Sequence, residues 1–244
     1  MRHNIKLLAL ALLLPLLTAC GNAAAGNQAT CAAENCSEAE LNAPVAGSVE
    51  DASLPEELAR EESSLMAATT YKFPSFSKAW GLRRAAYDKA VAAHTKNKSR
   101  IKNGRYAVVI DMAQHSSNRR LFLFDLSNGN VKRQLVSHGE GSDKNNDGYA
   151  TEFSNLDSSH MSSLGAYITD ATYIGKNGYS LRLRGQDSTN SNAYARAVVM
   201  HPADYVRESA GKAGRSWGCP AMDPAVSRGV IDKMKGGAFL FITR

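Results

Sequence analysis

Between Arg105 and Arg244 the apolar residues come in short runs, each closed by glycine, asparagine or a charged side chain. Tyr106-Ala-Val-Val-Ile-Asp111 is a buried-type strand run. Arg120-Leu-Phe-Leu-Phe-Asp125, the Ser127-Asn-Gly-Asn130 turn and Val131 to Val136 carry a hairpin signature. Ala166 to Thr169, Tyr179 to Arg184, Ala197 to Met200 and Ala238 to Ile242 follow as further short strands. Only Pro224 to Lys235 has helical spacing in this stretch. Such a pattern predicts a mainly β domain over 104–244, a β-sandwich or other β-rich body with mostly antiparallel pairing.

The segment before it is different. Phe76, Ala79, Trp80, Tyr87, Ala90 and Val91 recur at helical spacing with Lys and Arg between them, which predicts one amphipathic helix from Phe76 to His94. Residues 71–103 are thus read as that helix and a linker, with the aromatic stripe packed on the body that follows. Residues 20–70 are rich in Ala, Glu, Ser and Asn and almost empty of aromatics, so they lack the apolar content for a core and read as a flexible tether. Pro55 to Arg60 suits a short helical turn within it. Arg2 and Lys6 precede an apolar run, Leu7 to Leu17, that is too short to span a bilayer, so 1–19 is read as a secretory signal.

Charge divides along the same boundaries. The whole chain carries +6, of which the first twenty residues hold +2 and the tether −8, leaving +12 on residues 71–244. A basic body on an acidic tether suits a polyanionic partner such as anionic cell wall or lipid headgroups, while nucleic acid is not expected outside the cell.

Export makes the cysteines informative. Leu17-Thr18-Ala19-Cys20 resembles the lipobox of bacterial lipoproteins, which implies cleavage before Cys20 and lipidation of its thiol. Gly21, rather than aspartate, follows it and favours the periplasmic face of an outer membrane. Cys31 and Cys36 lie in the tether at a spacing that permits a disulfide in an oxidising compartment. Cys219 is left in a constrained turn, Gly214-Arg-Ser-Trp-Gly-Cys-Pro-Ala-Met-Asp223. A thiol reacts as thiolate, and free cysteine titrates near ~8.5, so a nucleophilic cysteine needs a base or cation beside it. His201 ends the strand Ala197 to Met200 and can supply that base. Gly218 lets successive backbone N–H groups turn towards a developing oxyanion.

His201 followed by Ser216-Trp217-Gly218-Cys219 resembles the H…S-x-G-C signature of L,D-transpeptidases, the YkuD-type peptidoglycan enzymes. The resemblance runs over roughly 104–244 and includes Val136 to Ser142, Phe153-Ser-Asn155, Gly175 to Leu181 and His201 to Tyr205; these match the murein L,D-transpeptidase catalytic domain branch. It implies an acyltransferase in which Cys219 attacks the third stem-peptide residue at its L-centre and expels D-alanine. His201 is then the catalytic base, Ser216 a positioning group for the His–Cys pair, and the N–H groups at Gly218 and Cys219 the oxyanion hole. Passing the thioester to an amine of a second stem peptide gives a 3→3 cross-link; hydrolysis gives an L,D-carboxypeptidase or endopeptidase. No metal or cofactor is required, and a monomer is expected. A catalytically idle wall-binding lipoprotein is the alternative from another class.

Departures from the family pattern are local. Trp217 stands where many members have His, Pro220-Ala221 where Ile/Val-Arg is usual, and Pro202 where Gly follows the histidine. Arg215 is therefore the candidate for a substrate carboxylate, with Trp217 and His138 as further candidates for the cleft wall. Asp143-Lys-Asn-Asn-Asp-Gly148 imitates the start of a calcium loop but has Ser154 at the twelfth position, so a polar turn is the better reading. The spacings of His138, His160, His201 and Cys219 match no structural zinc pattern.

Overall fold

The computed structural model describes residues 71–244. The signal at 1–19, the tether at 20–70 with its Pro55 to Arg60 turn, and Cys20, Cys31 and Cys36 lie outside the described residues. Ten strands follow one α-helix, and a second helix precedes the last strand. They are α1 (Arg84–Lys96), β1 (Tyr106–Asp111), β2 (Leu121–Asp125), β3 (Asn130–Gln134), β4 (His138–Gly139), β5 (Gly165–Gly175), β6 (Gly178–Gly185), β7 (Val199–Pro202), β8 (Arg215–Ser216), β9 (Ala221–Met222), α2 (Pro224–Met234) and β10 (Phe239–Thr243). Eight strands form one sheet in the order β3-β2-β1-β10-β5-β6-β7-β9, and β4 pairs with β8 apart from it. The β-rich body with one helix before it and one near its end is as the sequence predicts.

Burial explains this order. At the centre, β1 and β10 pair in parallel, and each is buried at almost every position, as strands covered on both faces must be. Alternation along the strands separates two cores. Val108, Ile110, Leu121, Leu123, Leu240 and Ile242 share one core with Val230, Ile231 and Met234 of α2. Ala107, Val109, Phe122, Phe124, Phe239 and Phe241 share the other with Ala86, Tyr87 and Ala90 of α1. Each face of the sheet is thus closed by one helix. The aromatic stripe packs on the body as expected, and α1 belongs to the same unit as the strands.

The first helix starts later than its periodicity suggests. Gly81 sits in the left-handed region at φ +73° and its N–H closes a 3₁₀ turn, Lys78–Trp80, by bonding the Lys78 carbonyl. A continuous helix from Phe76 cannot pass through that residue. Instead Arg83, at the N-cap of α1, grips the buried Asp111 with Nε and Nη2 at 2.7–3.0 Å, tying the helix start to the end of β1. Similarly, β7 begins at Val199 rather than Ala197, because Ala197 has φ +53°. Five ladders are antiparallel and three parallel, so pairing is mostly antiparallel.

Candidate active site

Cys219 lies on the turn between β8 and β9, and the turn is held almost entirely by serine hydroxyls. Ser216 Oγ accepts the Gly218 N–H at 3.1 Å and donates to the Cys219 carbonyl at 2.7 Å. Ser137 Oγ donates to the same carbonyl at 3.2 Å and accepts the Ala221 N–H at 3.0 Å. Gly218 adopts φ +113°, and a Cβ there would stand 2.6 Å from the Met161 carbonyl oxygen. Left-handed backbone and close approach both demand glycine at this position.

The sulfur is seated against the edge of β7. The Val199 N–H donates to Sγ at 3.5 Å, and Sγ lies 3.7 Å from the Ala197 carbonyl. His201 stands two residues further along the same strand. β7 and β9 run parallel with His201 opposite Ala221, which brings the histidine strand beside the exit of the cysteine turn. Burial pushes the Cys219 thiol above its ordinary range, while the Val199 N–H and the Arg196 charge oppose this. Burial likewise holds the His201 imidazole below 6.5. Both directions disfavour a thiolate–imidazolium pair at rest.

His201 Nδ1 meets the Pro202 carbonyl at 2.8 Å. A carbonyl only accepts, so Nδ1 carries the proton and Nε2 keeps the lone pair of a base. No hydrogen bond joins the imidazole to the sulfur among the described residues; the two are linked through β7. Ser216 reaches neither of them and acts through the backbone of the turn. The Gly218 N–H is consumed by Ser216, whereas the Cys219 N–H has no acceptor among the described residues. Of the two donors expected for an oxyanion, only the second is free.

The three candidates for the cleft wall separate. Trp217 is 69% exposed two residues before Cys219, with its indole stacked on His160 at 4.5 Å and 1° between planes. His160 Nδ1 is in turn 2.7 Å from a Glu140 carboxylate oxygen. Arg215 is half-buried and donates one guanidinium N–H to the Asp143 carbonyl. His138 is fully buried and does not line the cleft. Its Nδ1 meets Arg120 Nη2 at 2.6 Å and its Nε2 meets Asp143 Oδ2 at 3.1 Å. Arginine only donates, so the proton of this imidazole is on Nε2. Burial and then the Arg120 charge push its pKa down to about 4.

Asp143 also accepts the Asp147 and Gly148 N–H groups, each at 3.0 Å. Residues 143–148 therefore form a polar turn around their own carboxylate. No cluster of His, Cys, Asp or Glu suited to a metal occurs among the described residues.

Sequence reasoning passed over two neighbours of the sulfur. Arg196 clamps the loop behind Gly218, donating to the Ser154 and Met161 carbonyls at 2.9 and 2.8 Å. Tyr205 has its phenol pushed up to about 12 by burial and by the adjacent Cys219 charge. Arg196 has no local signature, and Tyr205 could be found only through its nearness to His201.

Among solved structures, an L,D-transpeptidase from Mycobacterium smegmatis is 14% identical over 57% of this chain and 59% of that one, with a TM-score of 0.37. Bd1075 of Bdellovibrio bacteriovorus is 14% identical over 57% and 48%, with a TM-score of 0.38. The chain thus spans less than two thirds of the length of either protein. No curated protein matches it. A domain model described as the L,D-transpeptidase catalytic domain matches residues 78–243, from the 3₁₀ turn before α1 through β10. With the cysteine turn, the histidine strand and both helices inside that span, the chain belongs to the L,D-transpeptidase catalytic domain family.

Proposed function

We propose that this protein is a lipid-anchored peptidoglycan L,D-transpeptidase that forms 3→3 cross-links through a thioester on Cys219. One observation carries the reading: a half-buried thiol sits against β7, two residues from an imidazole whose Nε2 lone pair is free. Acylation begins when Sγ leaves the Ala197 carbonyl, gives its proton to His201 Nε2 and adds to the donor carbonyl. The oxygen gains the π electrons of that carbonyl, and the Cys219 N–H is available to stabilise it. Collapse breaks the C–N bond to D-alanine, and the imidazolium returns its proton to the departing amine. An amine of a second stem peptide then adds to the thioester, its proton passes through His201 to sulfur, and the C–S bond breaks. Water in place of that amine gives stem-peptide trimming by the same route. Trp217, on its His160 backing, offers a rigid wall beside the reacting carbonyl. Cys20 is the acylated residue that holds the enzyme at the periplasmic face of the outer membrane.

The full chain incubated with defined tetrapeptide muropeptides should yield dimers with loss of D-alanine, read by mass spectrometry. Shortened monomers alone would assign trimming instead. A carbapenem should add its mass once to wild type and not to Cys219→Ala; failure to label wild type under reducing conditions would refute acyl transfer and leave a wall-binding role.

A further inference from the structure

A second feature shares no residue with the Cys219 turn. It is a cleft of about 570 Å³, where β5 bulges between Thr169 and Thr172 and meets the turn leading into β10. Its lining includes Arg100, Lys102, Arg184 and Lys235 against one carboxylate, Asp170.

The internal pairing of these charges is incomplete. Arg184 is matched to Asp170 at 2.6 Å, and Lys235 to Asp232 at 3.0 Å. Arg100 meets only the neutral side chains of Asn97 and Gln186, at 3.2 and 3.1 Å, and Lys102 forms no ion pair among the described residues. Two cations thus face the cleft with their charge uncompensated. Lys98 adds a further cation to the same segment, whereas Lys96 is paired with Asp187 at 3.5 Å.

The wall adds a neutral donor. Gly237 is buried, and its N–H has no acceptor among the described residues. Gly237 lines the cleft, so this N–H is available to an acceptor from outside the chain, water or a bound group. Guanidinium, ammonium and a backbone N–H together make the donor set that oxyanions of phosphorus take. The size is that of a site for a small group, within the usual range of about 300–1,000 Å³. A carboxylate would satisfy fewer of these donors than a phosphate with its extra oxygen.

We propose that this cleft is a phosphate-binding site, separate from the Cys219 turn and independent of acyl transfer, in which Arg100 and Lys102 supply the charge and Gly237 a backbone donor. A protein held at the envelope by a lipid meets phosphate in headgroups and in free phosphorylated compounds, and the cleft chemistry is shared by both.

The test uses the full chain in detergent, titrated with inorganic pyrophosphate by calorimetry and by amide NMR. Separate arms use vesicles of phosphatidylglycerol and of phosphatidylcholine alone. Expected are saturable binding to pyrophosphate or to phosphatidylglycerol vesicles, a shift of the Gly237 amide, and at least tenfold weaker binding for the double variant Arg100→Gln/Lys102→Gln. Pyrophosphate binding assigns a soluble source, and binding to anionic vesicles only assigns a headgroup; both support the site. The charge-matched control Lys132→Gln/Lys176→Gln, at exposed positions of β3 and the β5–β6 turn, should bind as wild type. Both substituted pairs are exposed, and melting curves check that each variant folds. Equal losses in the two double variants, or an unmoved Gly237 amide, would reduce the effect to net charge and overturn the proposal, as would no binding in any arm.

Discussion

At the scale of single residues, the turn around Cys219 depends on backbone geometry more than on any side chain reaching the sulfur. Gly218→Ala forces an L-residue into φ +113° with its Cβ against the Met161 carbonyl. The strain should cost about 1–3 kcal/mol and slow carbapenem acylation of Cys219 at least tenfold, measured by thermal unfolding and intact-mass kinetics. Wild-type stability with wild-type acylation in this variant would show that the turn tolerates the side chain. The pH dependence follows from His201. Protonating Nε2 removes the base, and burial holds that pKa below the ordinary 6.5. Acylation should therefore persist into mildly acidic solution and fall with a midpoint under that value. Because the thiol is raised above 9.0, simple alkylation of Cys219 should keep rising in alkali. An acid limb centred above 6.5 would show that burial does not hold the imidazole pKa down.

At the scale of elements, two packed units should respond differently to damage. Tyr87 of α1 is 8% exposed and stands edge-on to Phe73 at 5.9 Å, with its hydroxyl bonded to the Pro74 carbonyl. Tyr87→Ala should cost about 3–5 kcal/mol, as large aromatic truncations in cores do, while acylation by the folded fraction stays unchanged. Ser137→Ala deletes a smaller group but strips partners from the Cys219 carbonyl and the Ala221 N–H. It should cost about 1–3 kcal/mol and slow acylation together with stability. Denaturant titration beside labelling kinetics separates the two cases; equal kinetic effects would mean that α1 also shapes the site. The helices themselves could be read from the chain, because their apolar spacing is long and regular. The start of α1 and the start of β7 could not, since Gly81 and Ala197 stop or delay these elements through backbone conformation, which hydrophobic pattern does not register.

At the scale of the molecule, the buried chain Arg120–His138–Asp143 joins β2, β4 and the loop at 143–148, and it couples the fold to pH. The folded His138 pKa of about 4 is below its unfolded 6.5, so acid loads the unfolded chain first. Stability from this group is complete above pH 6.5, is lost as pH falls towards 4, and changes no further below that. Asp143, held below 3.8 mainly by its His138 bond and two backbone N–H groups against the opposing effect of burial, adds a loss of the same sign in stronger acid. Unfolding free energy measured between pH 7.5 and 4 should therefore decline with falling pH, and His138→Gln should flatten part of that decline. A level profile in wild type would show that His138 takes up its proton in the fold without penalty.

By itself the sequence determined the class of fold, the two helices, the strand-end histidine and the turn cysteine as candidates, and the family. These depend on local periodicity and on a few residue types with distinctive chemistry. The tertiary structure alone decided what surrounds them. His138 and Arg215 looked as accessible as Trp217 in the one-dimensional chain, yet β4 and β8 bring the first two to Asp143 and leave the indole in solvent. Arg196 and Tyr205 approach the sulfur from elsewhere in the chain, and the phosphate cleft forms where β5, β6 and the approach to β10 converge. Burial and hydrogen-bond partners depend on contacts between distant segments, and no short stretch of sequence contains both sides of such a contact.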